Sequence, residues 1–201
     1  MKSLKKLAAM VCSAALACAL VFGGTAFAAD DVIELQIGFE NSITEPFGQG
    51  IVKWAELLDK ASGGTMKITP YPDSQLGSKN ELIDSMLIGE PVCTLADGAF
   101  YADYGVADFG IVFSPFLFDN WEQCWKLIDS DWYKDQCAQL EKKGLKVLVS
   151  NWVYGARHTL TVKPVNKVED LAGRQIRVAH NQMQSYGFKC LGRVPPGMDH
   201  G

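Results

Sequence analysis

Arg157 and Arg177 stand 20 residues apart in the stretch NWVYGARHTLTVKPVNKVEDLAGRQIRVAH, residues 151–180, and they are the side chains here best suited to chemistry. Arg177 lies inside a short apolar run, Ile176-Arg177-Val178. An arginine in such a run is costly to bury unless an anion meets it, and the guanidinium fork matches a carboxylate through two parallel hydrogen bonds. Arg157 follows an aromatic, glycine-containing turn. Between the two, residues 168–173 (VEDLAG) read as a helical turn closed by glycine, which folds the chain back so that a second strand lies near the first. The chemistry this predicts is capture of the carboxylate of a small organic acid by paired forks. The competing reading, surface arginines or partners of a protein carboxylate, stays open on spacing alone.

Other chemistries find no support in the sequence. There is no GxGxxG, no Walker loop, no GxSxG and no HExxH. His158, His180 and His200 do not form a ligand set by spacing, and a nucleophilic Cys93 has no identifiable base. Asp129, Asp131 and Asp135 read as a solvated helix end. We therefore expect no catalytic residue, no metal and no cofactor. The rival readings are an exported α/β enzyme that anchors small acids on these arginines and a ligand-sensing receptor domain.

The arginines need a frame, and the chain supplies one. Lys2, Lys5 and Lys6, the apolar run Leu7 to Phe22 and the small-x-small site Ala26-Phe27-Ala28 read as a cleaved export signal over residues 1–28. Lipid anchoring at Cys18 is the weaker alternative. Removing the signal takes away three lysines and no acid, deepening the net charge from −4 to about −7 over about 173 residues. Such a chain has no global attraction for nucleic acid or an anionic membrane, so an anionic ligand needs a local site. Neither nucleic-acid binding nor direct membrane insertion is expected of the mature chain. Cys93, Cys124, Cys137 and Cys190 match no zinc spacing; one or two disulfides are possible, and buried free thiols are the commoner outcome for cysteines in apolar stretches.

In chain order, Ile33 to Ile37 alternates as a half-buried strand. Thr44 with Pro46 starts a helix whose Phe47, Ile51, Trp54, Ala55 and Leu58 share a face. Met66 to Thr69 makes a second strand that Pro70 should end. Ser78 and Glu81 form a capping box ahead of Leu82, Ile83, Met86 and Leu87. Val92 to Ala96 reads as a strand buried on both faces. Residues 97–104 read as a loop, and the aromatic run 111–118 (IVFSPFLF) as core packing. Helices are expected after Asn120 and from Asp131, then a buried strand at Leu145 to Val149 and a last helix from Gln182 to Leu191. Strand-helix alternation of this kind predicts an α/β fold with a largely parallel sheet. A boundary at Ser150 to Tyr154 divides a first α/β lobe, 29–150, from a partial second lobe, 151–201, which carries the arginines.

Four segments carry a family resemblance: Ile33 to Gly38; PYPDSQLG at 70–77 followed by Glu81-Leu82-Ile83; Ser114-Pro115-Phe116-Leu117-Phe118; and LAGRQIRV at 171–178. With these segments in this order, the chain resembles the solute-binding subunits of TRAP (tripartite ATP-independent periplasmic) transporters, the DctP type. The resemblance implies a periplasmic binding protein of type II, two lobes of mostly parallel sheet flanked by helices, here with the second lobe truncated. It also implies a periplasmic location, a carboxylate-bearing ligand and membrane permease subunits as partners. Arg177 falls on the family arginine that pairs with the ligand carboxylate, and Arg157 on a second ligand-side arginine. Trp152, Asp97 and Gly98 fall on cleft-lining positions.

Overall fold

The computed structural model describes residues 32–191. The expected signal peptide, Cys18 and the segment from residue 192 onward lie outside them. The described residues from Glu34 onward form one compact unit.

Three strands, β1 (Ile33–Gly38), β2 (Met66–Tyr71) and β3 (Val92–Thr94), form a sheet in the order β2-β1-β3. β1 and β3 are parallel, with Ile37 opposite Cys93 and Gly38 opposite Thr94. Helix α1 (Pro46–Ala61) connects β1 to β2, and α2 (Lys79–Leu87) connects β2 to β3. This is the alternation anticipated from the sequence.

α1 lays Phe47, Ile51, Trp54, Ala55 and Leu58 against Ile37, Phe39 and Ile68 of the sheet side. Its first turn starts one residue later than expected, because Glu45 rather than Thr44 takes the N-cap position. The Glu45 carboxylate accepts from Asn41 Nδ2 at 2.8 Å and from the Ser42 amide at 3.3 Å, which ties down the preceding loop instead of the helix. α2 begins with the predicted capping box: the Ser78 hydroxyl accepts from the Glu81 amide, and the Glu81 carboxylate accepts from the Ser78 amide at 2.7 Å. Donation to the Glu81 carboxylate from the Ser78 amide, and from the Ser78 hydroxyl at 2.9 Å, holds this carboxyl below its ordinary pKa.

β2 runs through Pro70 to Tyr71 rather than ending before it. It lies at a sheet edge, where the missing proline N–H costs no ladder bond. β3 is shorter than expected and only half-buried, because it too is an edge strand in this sheet. Residues 97–104 are not a loop. α3 (Gly98–Asp103) forms there, capped by the Asp97 carboxylate, which accepts from the Ala99 amide at 2.9 Å.

A 3₁₀ helix (Ala107–Phe113) then packs against α3 and delivers Phe109 to the second core, with Ile83, Phe100, Val106, Leu140 and Leu145. α4 (Trp121–Ile128) and α5 (Asp131–Glu141) follow, capped by Asn120 and Ser130. Tyr133 and Cys137 of α5 join that core. The aromatic run 111–118 does not pack there as a whole: Phe116, at φ 59°, is fully exposed.

No ladder forms over residues 145–149. Leu145 is buried, but Leu148 and Val149 are about half exposed, and among the described residues no strand pairs with this segment. The same holds for residues 174–178, where only Val178 makes an isolated bridge. The chain ends its described part with a 3₁₀ turn (Val168–Leu171) and α6 (Gln182–Cys190). The four described cysteines are unpaired thiols.

Candidate functional site

The carboxyl ends of β1 and β3 and the amino end of α2 point the same way, which is where open parallel sheets take ligands. Gly38 closes β1 because a side chain there would meet Leu82 at 2.6 Å. The chain that follows, at Phe39 and Asn41, is held by the end of β2 and the segment after it. Phe39 donates to the Tyr71 carbonyl, while the Ser74 amide donates to Phe39 and the Asp73 amide to Asn41. Asp73 and Ser74 both take positive φ, 53° and 56°, to make those two bonds. Backbone in that region costs about 1–3 kcal/mol per residue and persists where the surroundings fix it.

On this rim sit charges that sequence spacing did not single out. Lys79, first residue of α2, places its ammonium 3.6 Å from the Glu40 carboxylate and 4.6 Å from the centroid of the Phe100 ring. Both side chains of this ion pair are largely buried, 16% and 14% exposed, unlike the surface pairs elsewhere. A charge-bearing residue two positions after a strand end, and another directly after a helix cap, were the available signals.

Asp97 follows β3 on the same rim. Burial pushes its carboxyl pKa up, while Lys79, the Ala99 amide, Arg157 and the Phe100 amide pull it back. The structure thus brings two expected site residues, Asp97 and Arg157, into one electrostatic neighbourhood. The Arg157 guanidinium lies 5.1 Å from the Phe113 ring centroid, a cation–π contact that orients an otherwise exposed side chain.

Gly98 is buried and has a packing reason to be glycine: a Cβ there would run into the Phe109 carbonyl and Val112. Trp152 seats its ring on α1, 3.5 Å from where a Cβ of Gly50 would stand. It makes edge contacts with Phe47 and Trp54, with centroids 4.9 and 6.2 Å apart. Asp97, Gly98 and Trp152 line one cavity of about 270 Å³, between β3 and residues 145–150. Its walls are mostly apolar, and neither arginine lines it.

Arg177 is half-buried between buried Ile176 and Val178, and its Nη2 is shielded from solvent. Its segment is docked on the sheet-bearing part: Asn80 Nδ2 donates to the His180 carbonyl at 3.2 Å, and the Asp103 carboxylate accepts from the Gln182 amide at 3.0 Å. Arg174 is structural, donating to the Lys163 and Pro164 carbonyls at 2.6 and 3.1 Å. Cys93 Sγ donates to the Gln36 carbonyl at 3.4 Å, and burial pushes its thiol up to about 11. Among the described residues no group of His, Cys, Asp or Glu could hold a metal ion.

The carboxyl rim of the sheet thus carries Glu40, Lys79 and Asp97, and Asp97 also feels the charge of Arg157. Residues 37–201 match the family of bacterial extracellular solute-binding proteins, family 7, DctP. This chain belongs to that family, whose members bind solutes and are not enzymes.

It is 30% identical over 162 residues to the 2,3-diketo-L-gulonate-binding periplasmic protein YiaO of Escherichia coli, covering 80% of this chain and 49% of that one. It is 27% identical to the C4-dicarboxylate-binding periplasmic protein DctP of Rhodobacter capsulatus, covering 76% and 46%. Among solved structures, a TRAP periplasmic solute-binding protein from Ochrobacterium anthropi with bound L-fuconate superposes with a TM-score of 0.80 at 36% identity. That match covers 84% of this chain and 56% of the other. The chain spans about half the length of the curated relatives it matches.

Proposed function

We propose that this chain captures a small organic acid by its carboxylate outside the cytoplasm and delivers it to the membrane permease subunits of a TRAP-type transporter. Arg177 and Arg157 supply the forks that hold the carboxylate, and Asp97, Gly98 and Trp152 line the cleft. Residues 29–150 form the first lobe and 151–201 belong to the second. The signal at residues 1–28 routes the chain to the periplasm and is then removed. Ligand enters between the lobes, and closure is driven by the contacts that only the closed state makes with it.

The observation that carries this reading is that Lys79 and Asp97 stand on the carboxyl rim of the sheet, with Asp97 under the charge of both Lys79 and Arg157. The named ligands of the relatives, a keto sugar acid, a dicarboxylate and an aldonate, all carry a carboxylate. Mass spectrometry of small molecules released by denaturing the purified protein tests the proposal. A stoichiometric carboxylic acid supports it, provided the acid is absent from the double variant Arg157→Ala, Arg177→Ala. Retention of an uncharged molecule by both proteins overturns it.

A further inference from the structure

The run that carries Arg177 is tied to the sheet-bearing part through residues 180–183, and three elements make the ties. Asn80, in the first turn of α2, donates to the His180 carbonyl at 3.2 Å. The 3₁₀ helix brings Gly110 so near Met183 that a Cβ on the glycine would stand 3.1 Å from its side chain. Asp103, the last residue of α3, accepts from the Gln182 amide at 3.0 Å, across 79 positions of sequence. Resting on the carboxylate-capture reading above, we propose that Asp103 is a positioning residue of the ligand site, keeping α6 and the Arg177 run docked before a solute arrives.

The first turn of α6 explains why a carboxylate does this. A helix leaves its first amides without partners and carries positive potential at that end. Asn181, the N-cap, satisfies the Gln184 amide at 2.9 Å, but the turn holds no acidic residue of its own. Asp103 supplies the missing negative charge from another element, and a charge-assisted bond to an amide is stronger than a neutral one. Docking also fixes the run upstream. Ile176 and Val178 are buried, and Ala179 packs on the core that holds Phe109, so Arg177 keeps one position as long as α6 stays seated. Removing the tie lowers the docked fraction, and apparent affinity falls by that same fraction.

Asp103 is exposed, so Asp103→Ala leaves both cores intact. Gln182→Pro deletes the other half of the bond, because proline has no N–H yet suits the first position of a helix. Asn181 before it is already extended, at φ −145° and ψ 155°, as a residue preceding proline must be.

Isothermal titration of the full chain with succinate, pyruvate and gluconate, paired with hydrogen exchange of the ligand-free protein read by mass spectrometry, tests the assignment. Each variant is expected to bind the tightest of these acids about tenfold more weakly and to exchange residues 176–190 about tenfold faster, with β1–β3 and α1 unchanged. The double variant is expected to lose no more than either single one, since both remove the same bond. Asp103→Asn, which keeps an accepting oxygen, should recover most of the affinity. Affinity unmoved in Asp103→Ala, or losses that multiply in the double variant, overturns the assignment while carboxylate capture stands. Exchange that quickens equally in β1–β3 overturns it too, since that marks a general loss of stability. If none of the three acids binds the unaltered protein, the carboxylate reading falls and takes this role with it.

Discussion

At the scale of single residues, the account turns on how much one planar fork does that a point charge cannot. An ammonium donates along one line where a guanidinium donates along two, and a hydrogen bond to a charged group contributes about 1.5–3 kcal/mol. Arg177→Lys is therefore expected to weaken acid binding by about 10- to 100-fold in calorimetry, with folding unchanged in circular dichroism. Cys93 makes a second case. With its thiol pushed up to about 11, it is protonated at neutral pH and forms thiolate only in strong alkali. Iodoacetamide at pH 8 should label Cys93 much more slowly than the exposed Cys190, as read by peptide mass spectrometry. The proposed roles of Arg157 and Asp97 were drawn from a resemblance to known proteins. Lys79 and Glu40 were not, because their meaning comes from a 3.6 Å approach between residues 39 positions apart, which no local pattern encodes.

Elements were legible where the rule that makes them is local. Helix α1 could be read from the 3.6-residue recurrence of Phe47, Ile51, Trp54 and Leu58, and the start of α2 from Ser78 and Glu81 three residues apart. α3 was missed because Gly98 looked like a breaker. Its glycine instead lets the first turn lie against the Phe109 carbonyl. Residues 145–149 have the composition of a strand, but a strand exists only with a hydrogen-bonded neighbour, and that depends on residues far away in sequence. Two stability predictions belong here. Ser78→Ala removes the cap on α2 and should cost about 1 kcal/mol in urea denaturation. Gly98→Ala forces a Cβ onto a backbone carbonyl that cannot rotate away, and should cost about 1–3 kcal/mol in the same measurement.

For the whole molecule, the fold supplies a fixed rim: a three-stranded sheet whose carboxyl end bears Glu40, Asp97 and, at the start of α2, Lys79. Asp97 feels the charge of Arg157, while Arg177 is carried by a segment docked through Asn80 and Asp103. A ligand that engages both parts stabilises the state that holds them together by about 2.7 kcal/mol at 100 times its Kd. A bound acid should then raise the thermal unfolding midpoint by several degrees in scanning calorimetry, and glucose, without a carboxylate, should not. The most direct test is isothermal titration of the unaltered protein and of Arg177→Lys with the carboxylic acid that binds most tightly. Carboxylate capture by arginine forks predicts a Kd at least about tenfold weaker in the variant, whereas the same Kd in both proteins would contradict it.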